Sequence, residues 1–375
     1  MSDKIGIITI QGDNYGATLQ AVALNSFLNS KGFNAENLDY NDINRVKNSL
    51  SFKQKIINDL WTKVAVKLII GNKKKEKFEA FRKENLKFSK GQWRSKEALS
   101  ADCPEYDIYI SGSDQIWNPD VMRDDYNYLL AFAPDSAKKI AYASSFGKSK
   151  LPDNKKDTYK KYLLRFNSIA VREKSGKDIV NDLLGYEPEQ VVDPTLLLNA
   201  EDWSKITKYK PSEEKYILCY YMPGDNIVCG AIKKIAEDLS KKTGYKVVNL
   251  GLKEYYKFKS GMDCRVDAGP ADFVNLFLGA EYVVTNSFHG TAFSTNFNKK
   301  VYVPINKDLD NTKARHIRMV DYLKTIGMDN SIIPVGADGV IPDVSTIEFD
   351  YDKVNANIQN MRKASVEYLL NAING

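Results

Sequence analysis

The chain predicts an α/β protein built from two Rossmann-like halves with parallel sheets, ending in an amphipathic helix. Three observations carry this. Short, continuously apolar, β-branched runs read as buried parallel strands. They alternate with helical patterns of about 10–15 residues, and the alternation begins again after residue 215. The length of 375 residues also exceeds what a single hydrophobic core serves.

The elements follow in order. Lys4 to Ile10 is the first strand, and Gln11 to Gly16 is a polar loop bearing two glycines. Leu19, Val22, Ala23, Phe27 and Leu28 recur at helical spacing until Lys31-Gly32 stops the helix, and Asn34 to Tyr40 is the second strand. From Asn44 to Leu99 the pattern is helical, amphipathic and rich in Lys and Glu. Asp107 to Ile110, Lys139 to Ser144, Ser168 to Arg172 and Gln190 to Val192 are further strands, with a helix closing at Leu183 to Gly185. The N-terminal domain is expected over 1–198, and the polar stretch 199–215, with Pro211, reads as a linker.

The second domain, 216–345, repeats the scheme. Strands are expected at Tyr216 to Tyr221, Lys246 to Leu250, Tyr282 to Thr285 and Val301 to Pro304. Helices are expected at Ile227 to Thr243, Asp272 to Gly279, Gly290 to Phe297 and Arg315 to Ile326. Residues 346–375 carry an amphipathic helix from Asp352 to Ile373, expected to pack back on the N-terminal domain.

Composition narrows the function. The net charge is +6, but the lysines are dispersed, and Lys73-Lys74-Lys75 reads as a solvated helix face, so no nucleic-acid role is expected. Cys103, Cys219, Cys229 and Cys264 match no zinc or redox spacing, and there are only two histidines, so no metal site is expected. Met1 to Ile10 lacks a signal-peptide pattern. The apolar stretch Val64 to Ile70 is interrupted by Lys67 and is too short to span a bilayer. The expected setting is the cytoplasm, with at most peripheral membrane contact.

Loops beyond the carboxyl ends of parallel strands are where such folds bind ligands, and three have unusual composition. The first, Gln11 to Gly16, offers Asp13, Asn14, Tyr15 and Gly16 ahead of a helix N-terminus; it lacks the dinucleotide fingerprint, and a plain strand-to-helix turn is the structural alternative. In the second, Ser111, Gly112, Ser113, Asp114, Gln115 and Trp117 look like a surface for sugar hydroxyls, with Asp114 a candidate general base. A capping turn around a core Trp is the alternative there. The third, Asn286, Ser287, Phe288, His289, Gly290 and Thr291, places a histidine between a strand and a helix, able to donate a proton or to help hold an anion. Arg172, just after a strand, is a candidate anion clamp, and His316 reads as structural.

Several of these segments occur in a telling order: Gly112-Ser113-Asp114-Gln115-Ile116-Trp117-Asn118, Arg172-Glu173-Lys174-Ser175, Val192-Asp193-Pro194-Thr195-Leu196-Leu197 and Ser287-Phe288-His289-Gly290. With Asn14-Tyr15-Gly16 ahead of Leu19-Gln20-Ala21, the chain resembles the polysaccharide pyruvyl transferase family from about Lys4 to about Met328. That resemblance implies a GT-B-like fold, two facing Rossmann-like domains, with phosphoenolpyruvate as co-substrate and no further cofactor. It implies a pyruvate ketal formed on a sugar of an exopolysaccharide or cell-wall glycan precursor, free or lipid-linked, with phosphate released. His289 would be the acid or a phosphate ligand, Arg172 the anion clamp and Asp114 the acceptor-side base.

One departure is visible. Some members carry arginine where this chain has Ser287, leaving the donor phosphate one cation short; Arg318, Lys299 and Arg315 are the candidates to replace it. Asp193-Pro194 is expected to shape a strand end rather than to touch substrate. The rival reading is a GT-B glycosyltransferase using a nucleotide-sugar donor, which lacks an evident ribose-binding carboxylate in the C-terminal half.

Overall fold

The computed structural model describes residues 3–42, 73–250, 263–308 and 314–375. The helical expectation for 44–72, including the apolar stretch Val64 to Ile70, lies outside them. The chain divides into two compact units, Met1–Leu197 with Arg362–Gly375, and Leu198–Met361.

In the first unit, β1 (Lys4–Ile8), β2 (Asn34–Tyr40), β3 (Phe88–Trp93), β4 (Ile108–Ser111), β5 (Lys138–Ser144), β6 (Ser168–Val171) and β7 (Glu189–Gln190) form one sheet in the order β3-β2-β1-β4-β5-β6-β7. Every pairing is parallel. The helices are α1 (Tyr15–Ser30), α2 (Lys73–Asn85), α3 (Lys96–Ala101), α4 (Pro119–Met122), α5 (Asp153–Leu163) and α6 (Lys174–Leu184). Helix α1 starts where Asn14 accepts a hydrogen bond from Ala17 N, and it is apolar on nearly every side, as a helix enclosed by the fold must be.

Strand β3 corrects the expectation of unbroken helix up to Leu99. It is an edge strand, paired only with β2, and its middle residues Ser89, Lys90 and Gly91 carry none of the apolar signal that marks a strand covered on both faces.

The second unit has β8 (Tyr216–Tyr220), β9 (Lys246–Leu250), β10 (Asp263–Cys264), β11 (Tyr282–Thr285), β12 (Lys300–Asn306) and β13 (Ile332–Val335), in the order β10-β9-β8-β11-β12-β13 and again all parallel. Its helices are α7 (Ala200–Thr207), α8 (Asn226–Thr243), α9 (Pro270–Gly279), α10 (Phe288–Asn296), α11 (Ala314–Ile326) and the first part of α12 (Tyr351–Asn374).

The expected linker 199–215 is not a mere connector. Asn199 and Asp202 form a capping box that starts α7, and Trp203 is fully buried, edge-on to Phe293 at 5.2 Å. The polar residues read as linker sequence are the cap, and a single tryptophan anchors the helix.

Both sheets reverse their strand order at one place, between β1 and β4 and between β8 and β11. The loops after those strands open at the resulting switch points, where open α/β sheets bind ligands. The duplication extends to one side chain. Asn37 and Asn249 are each the fourth residue of the unit's second strand, opposite Ile7 and Cys219. Each is 1% exposed, and neither amide finds a hydrogen-bond partner among the described residues.

The last turns of α12 belong to the first unit. Ser365 Oγ accepts from Val192 N at 2.9 Å, Tyr368 Oη donates to Ala141 O at 3.0 Å, and Leu369 and Ile373 are buried. No described helix is long and apolar enough to cross a membrane.

Candidate functional site

The loop after β1 is fastened rather than open. Asn14 is spent as the N-cap, and the exposed Asp13 pairs with Arg82 at 3.1 Å. Tyr15 is buried against Phe78 at 5.2 Å with Lys74 Nζ 4.6 Å from its ring centre, and Gly16 is buried in the first turn of α1. Burial holds the Lys74 ammonium below the ordinary lysine range, against the pull of Asp13.

The loop after β4 is turned inward. Ser111 Oγ donates to Tyr128 O at 2.6 Å, Ser113 Oγ donates to Ala143 O at 2.8 Å, and Ser113 N donates to Gln20 Oε1 at 3.0 Å. Trp117, expected as a platform for a sugar ring, is wholly buried, edge-on to Phe146 at 5.3 Å and Phe166 at 5.7 Å, with Nε1 donating to Tyr128 O at 3.1 Å. The indole is core, and its N–H is met by a carbonyl of the same unit. Gln115 is half-buried and accepts from Asn118 Nδ2 at 2.8 Å.

Gly112 sits at φ +150, and a Cβ there would lie 1.9 Å from Tyr142 O. Because that oxygen belongs to a central strand, Gly112→Ala is expected to destabilise the protein by about 3 kcal/mol in urea denaturation.

Asp114 is the one half-exposed carboxylate of this loop, and it leads to Arg172. Arg172 lies at the end of β6, with Nη1 2.6 Å from Asp193 Oδ2, Nη2 3.5 Å from Asp114 Oδ1 and Nε 3.6 Å from Glu173 Oε2. The Arg172, Asp193 and Glu173 side chains are 2%, 0% and 4% exposed. Burial works against the guanidinium charge, but Asp193, Asp114 and Glu173 outweigh it and lift its pKa above the ordinary arginine value. The guanidinium is thus engaged by carboxylates of its own unit, and its charge is committed within the cluster.

Sequence reasoning took Asp193 only as a shaper of its strand end. It does cap the turn at Thr195 (N 3.0 Å, Oγ1 2.8 Å), but its other oxygen is the main partner of Arg172. Glu173, also missed, accepts from Ser145 Oγ at 2.6 Å and ties the cluster to the end of β5.

In the second unit, Asn286 follows β11 and clasps the loop after β8, accepting from Met222 N at 2.6 Å and donating to Met222 O at 3.1 Å. Ser287 is the N-cap of α10, its Oγ accepting from Gly290 N at 3.4 Å and its carbonyl from Thr291 N at 2.9 Å and Thr291 Oγ1 at 3.0 Å. Gly290 is forced by packing, since a Cβ would lie 2.5 Å from Thr285 Oγ1. Asn286, Ser287, Gly290 and Thr291 are therefore the frame. Phe288 and His289 are the half-buried side chains it carries, their rings edge-on at 5.5 Å, with His289 Nε2 turned away from solvent. His289 is the second residue of α10, at the switch point, where a helix directs its first N–H groups outward and favours negative charge.

Two of the three candidate replacement cations can be placed. Lys299 lies just beyond the carboxyl end of α10 and just before β12, the length of the helix away from His289, and burial lowers its pKa. It cannot serve an anion at the start of that helix. Arg318 lies one turn before Tyr322 on α11, and Tyr322 packs against Phe288 at 5.9 Å and bonds Thr295 Oγ1 at 2.8 Å. Residues four apart share a helix face, so Arg318 stands on the α10 side of α11. Arg315 and His316 stand on the first turn of α11, whose backbone alone is described.

The chain is similar to solved structures at low identity. They include S. aureus MnaA in a co-structure with UDP (12% identical, TM-score 0.54, covering 99% of this chain and 98% of that one). They also include UDP-N-acetylglucosamine 2-epimerase from Rickettsia bellii (10% identical, TM-score 0.50, covering 100% and 97%). At such identities the likeness is one of fold, GT-B-like with two parallel-sheet α/β units. No curated protein matches the chain. The sequence model of the polysaccharide pyruvyl transferase family matches residues 14–308, most of the chain, with the His289 frame and the Arg172 cluster inside it, and the protein belongs to that family.

Proposed function

We propose that the protein uses phosphoenolpyruvate to build a cyclic pyruvate ketal on a sugar of an exopolysaccharide or cell-wall glycan precursor. The observation that carries this reading is the place of His289, on the first turn of α10 at a switch point, with Arg318 on the neighbouring helix face. The reaction needs a proton for the vinyl methylene carbon and positive potential for a donor bearing carboxylate and phosphate.

In the proposed sequence His289 protonates the methylene carbon, leaving C2 oxocarbenium-like. A sugar hydroxyl attacks C2 and gives up its proton to a base, for which Asp114 is the candidate. The C2–O bond to phosphate then breaks, and a second hydroxyl closes the ketal. Of the two hydroxyl protons lost, one balances the new methyl group and the other leaves with phosphate. The α10 N–H groups and Arg318 hold the donor. The proposed setting is the cytoplasm, where a lipid-linked acceptor is met by peripheral contact.

The test is to incubate the protein with labelled phosphoenolpyruvate, and separately with labelled nucleotide sugars, each with glycan acceptors. Acceptor-dependent phosphate release with label in the glycan is expected. Label arriving only from a nucleotide sugar would replace this reading with the glycosyltransferase one.

A further inference from the structure

The first unit holds a cavity of about 750 Å³ beside the carboxyl ends of β1, β2 and β3, well separated in the sheet from the Arg172 cluster at β6. That volume lies within the range of small-molecule sites. Its walls carry charges already arranged as pairs: Arg82 with Asp13 at 3.1 Å, Arg94 with Asp39 at 2.9 Å and Lys75 with Glu79 at 3.6 Å. Lys83 adds one further cation, so the lining is close to neutral. A phosphorylated or polyanionic ligand would want an excess of cations there; this lining offers donors and acceptors side by side instead.

Two further features point the same way. Leu86 and Phe88 supply an apolar strip, and Asn41 supplies a half-buried amide whose side chain has no partner among the described residues. A ring with one apolar face and a hydroxylated rim suits the whole lining.

We propose that this cavity binds a sugar residue of the acceptor glycan, at a distance from the hydroxyls that react. Arg94–Asp39 and Arg82–Asp13 engage its hydroxyls, and Leu86 and Phe88 take its C–H face. The proposal rests on the acceptor being a glycan, as in the function proposed above, but it needs no turnover to be tested.

Fluorescently labelled full-length protein is applied to a printed array of bacterial surface glycans. Wild type is expected to be retained by at least one glycan. Arg94→Ala and Asn41→Ala should weaken that retention tenfold or more, and Lys205→Ala, on the exposed side of α7, should leave it unchanged. A thermal melt verifies that each variant remains folded. No retained glycan, or retention indifferent to both cavity substitutions, overturns the proposal. Turnover of labelled phosphoenolpyruvate by the same preparation judges the ketal chemistry separately: glycan binding without turnover sinks that reading alone.

Discussion

Arg172→Ala is expected to lower the unfolding free energy by about 3–5 kcal/mol, the cost of removing one partner from a buried ion cluster. Asp193 is wholly inaccessible and Glu173 nearly so, and both oxygens of Asp193 are committed: one to the guanidinium and one to the turn at Thr195. Without the cation, Asp193 and Glu173 lose the charge that faces them in low dielectric. Asp193→Asn should cost less, because Asp114 and Glu173 still flank the guanidinium. Arg172→Lys should fall between, since one ammonium cannot face three carboxylates arranged around a planar fork. Urea denaturation of the three variants gives the ranking. If Arg172→Ala were as stable as wild type, the cluster would be a surface feature of little consequence.

His289→Ala is expected to lower turnover of phosphoenolpyruvate by about 100- to 10,000-fold, the usual contribution of a positioned general acid. Stability should change far less than turnover, because the frame of α10 is made by Ser287, Thr291 and Gly290. His289→Gln separates two roles. If the imidazole only donates a hydrogen bond to phosphate, glutamine should restore much of the rate; if it delivers the proton, both variants should be equally slow. Phosphate release in the presence of an acceptor is the measurement. Near-normal rates in both variants would remove His289 from the chemistry.

Much of the fold was legible. The run at Lys4 to Ile8 and the heptad-like spacing of the final helix announce themselves because burial on both strand faces, or on one helix stripe, writes a periodic apolar pattern. Edge strands do so less, and β3, β10 and β13 were missed. The site was legible by location but less so by role. Trp117 amid polar residues looks like a sugar platform until the polar residues prove to be bonded back to carbonyls around it. Arg172 reads as an unclaimed cation because Asp193 is 21 residues further on. Only the pairing of β6 with β7 brings the two strand ends together. That signal was present as Arg-Glu after one strand and Asp-Pro after the next, and a reading that set neighbouring strand ends side by side would have found it.

The contribution of α12 to the first unit bears on how the chain matures. Leu369 and Ile373 fill that unit's interior, and Arg362, Ser365 and Tyr368 close hydrogen bonds on the carbonyls of Leu196 and Ala141 and the amide of Val192. A ribosome that has just released residue 197 has therefore not yet delivered everything this half requires. Its completion must wait for translation of the second unit, and during that interval the apolar surface meant for α12 is open to solvent or to chaperones.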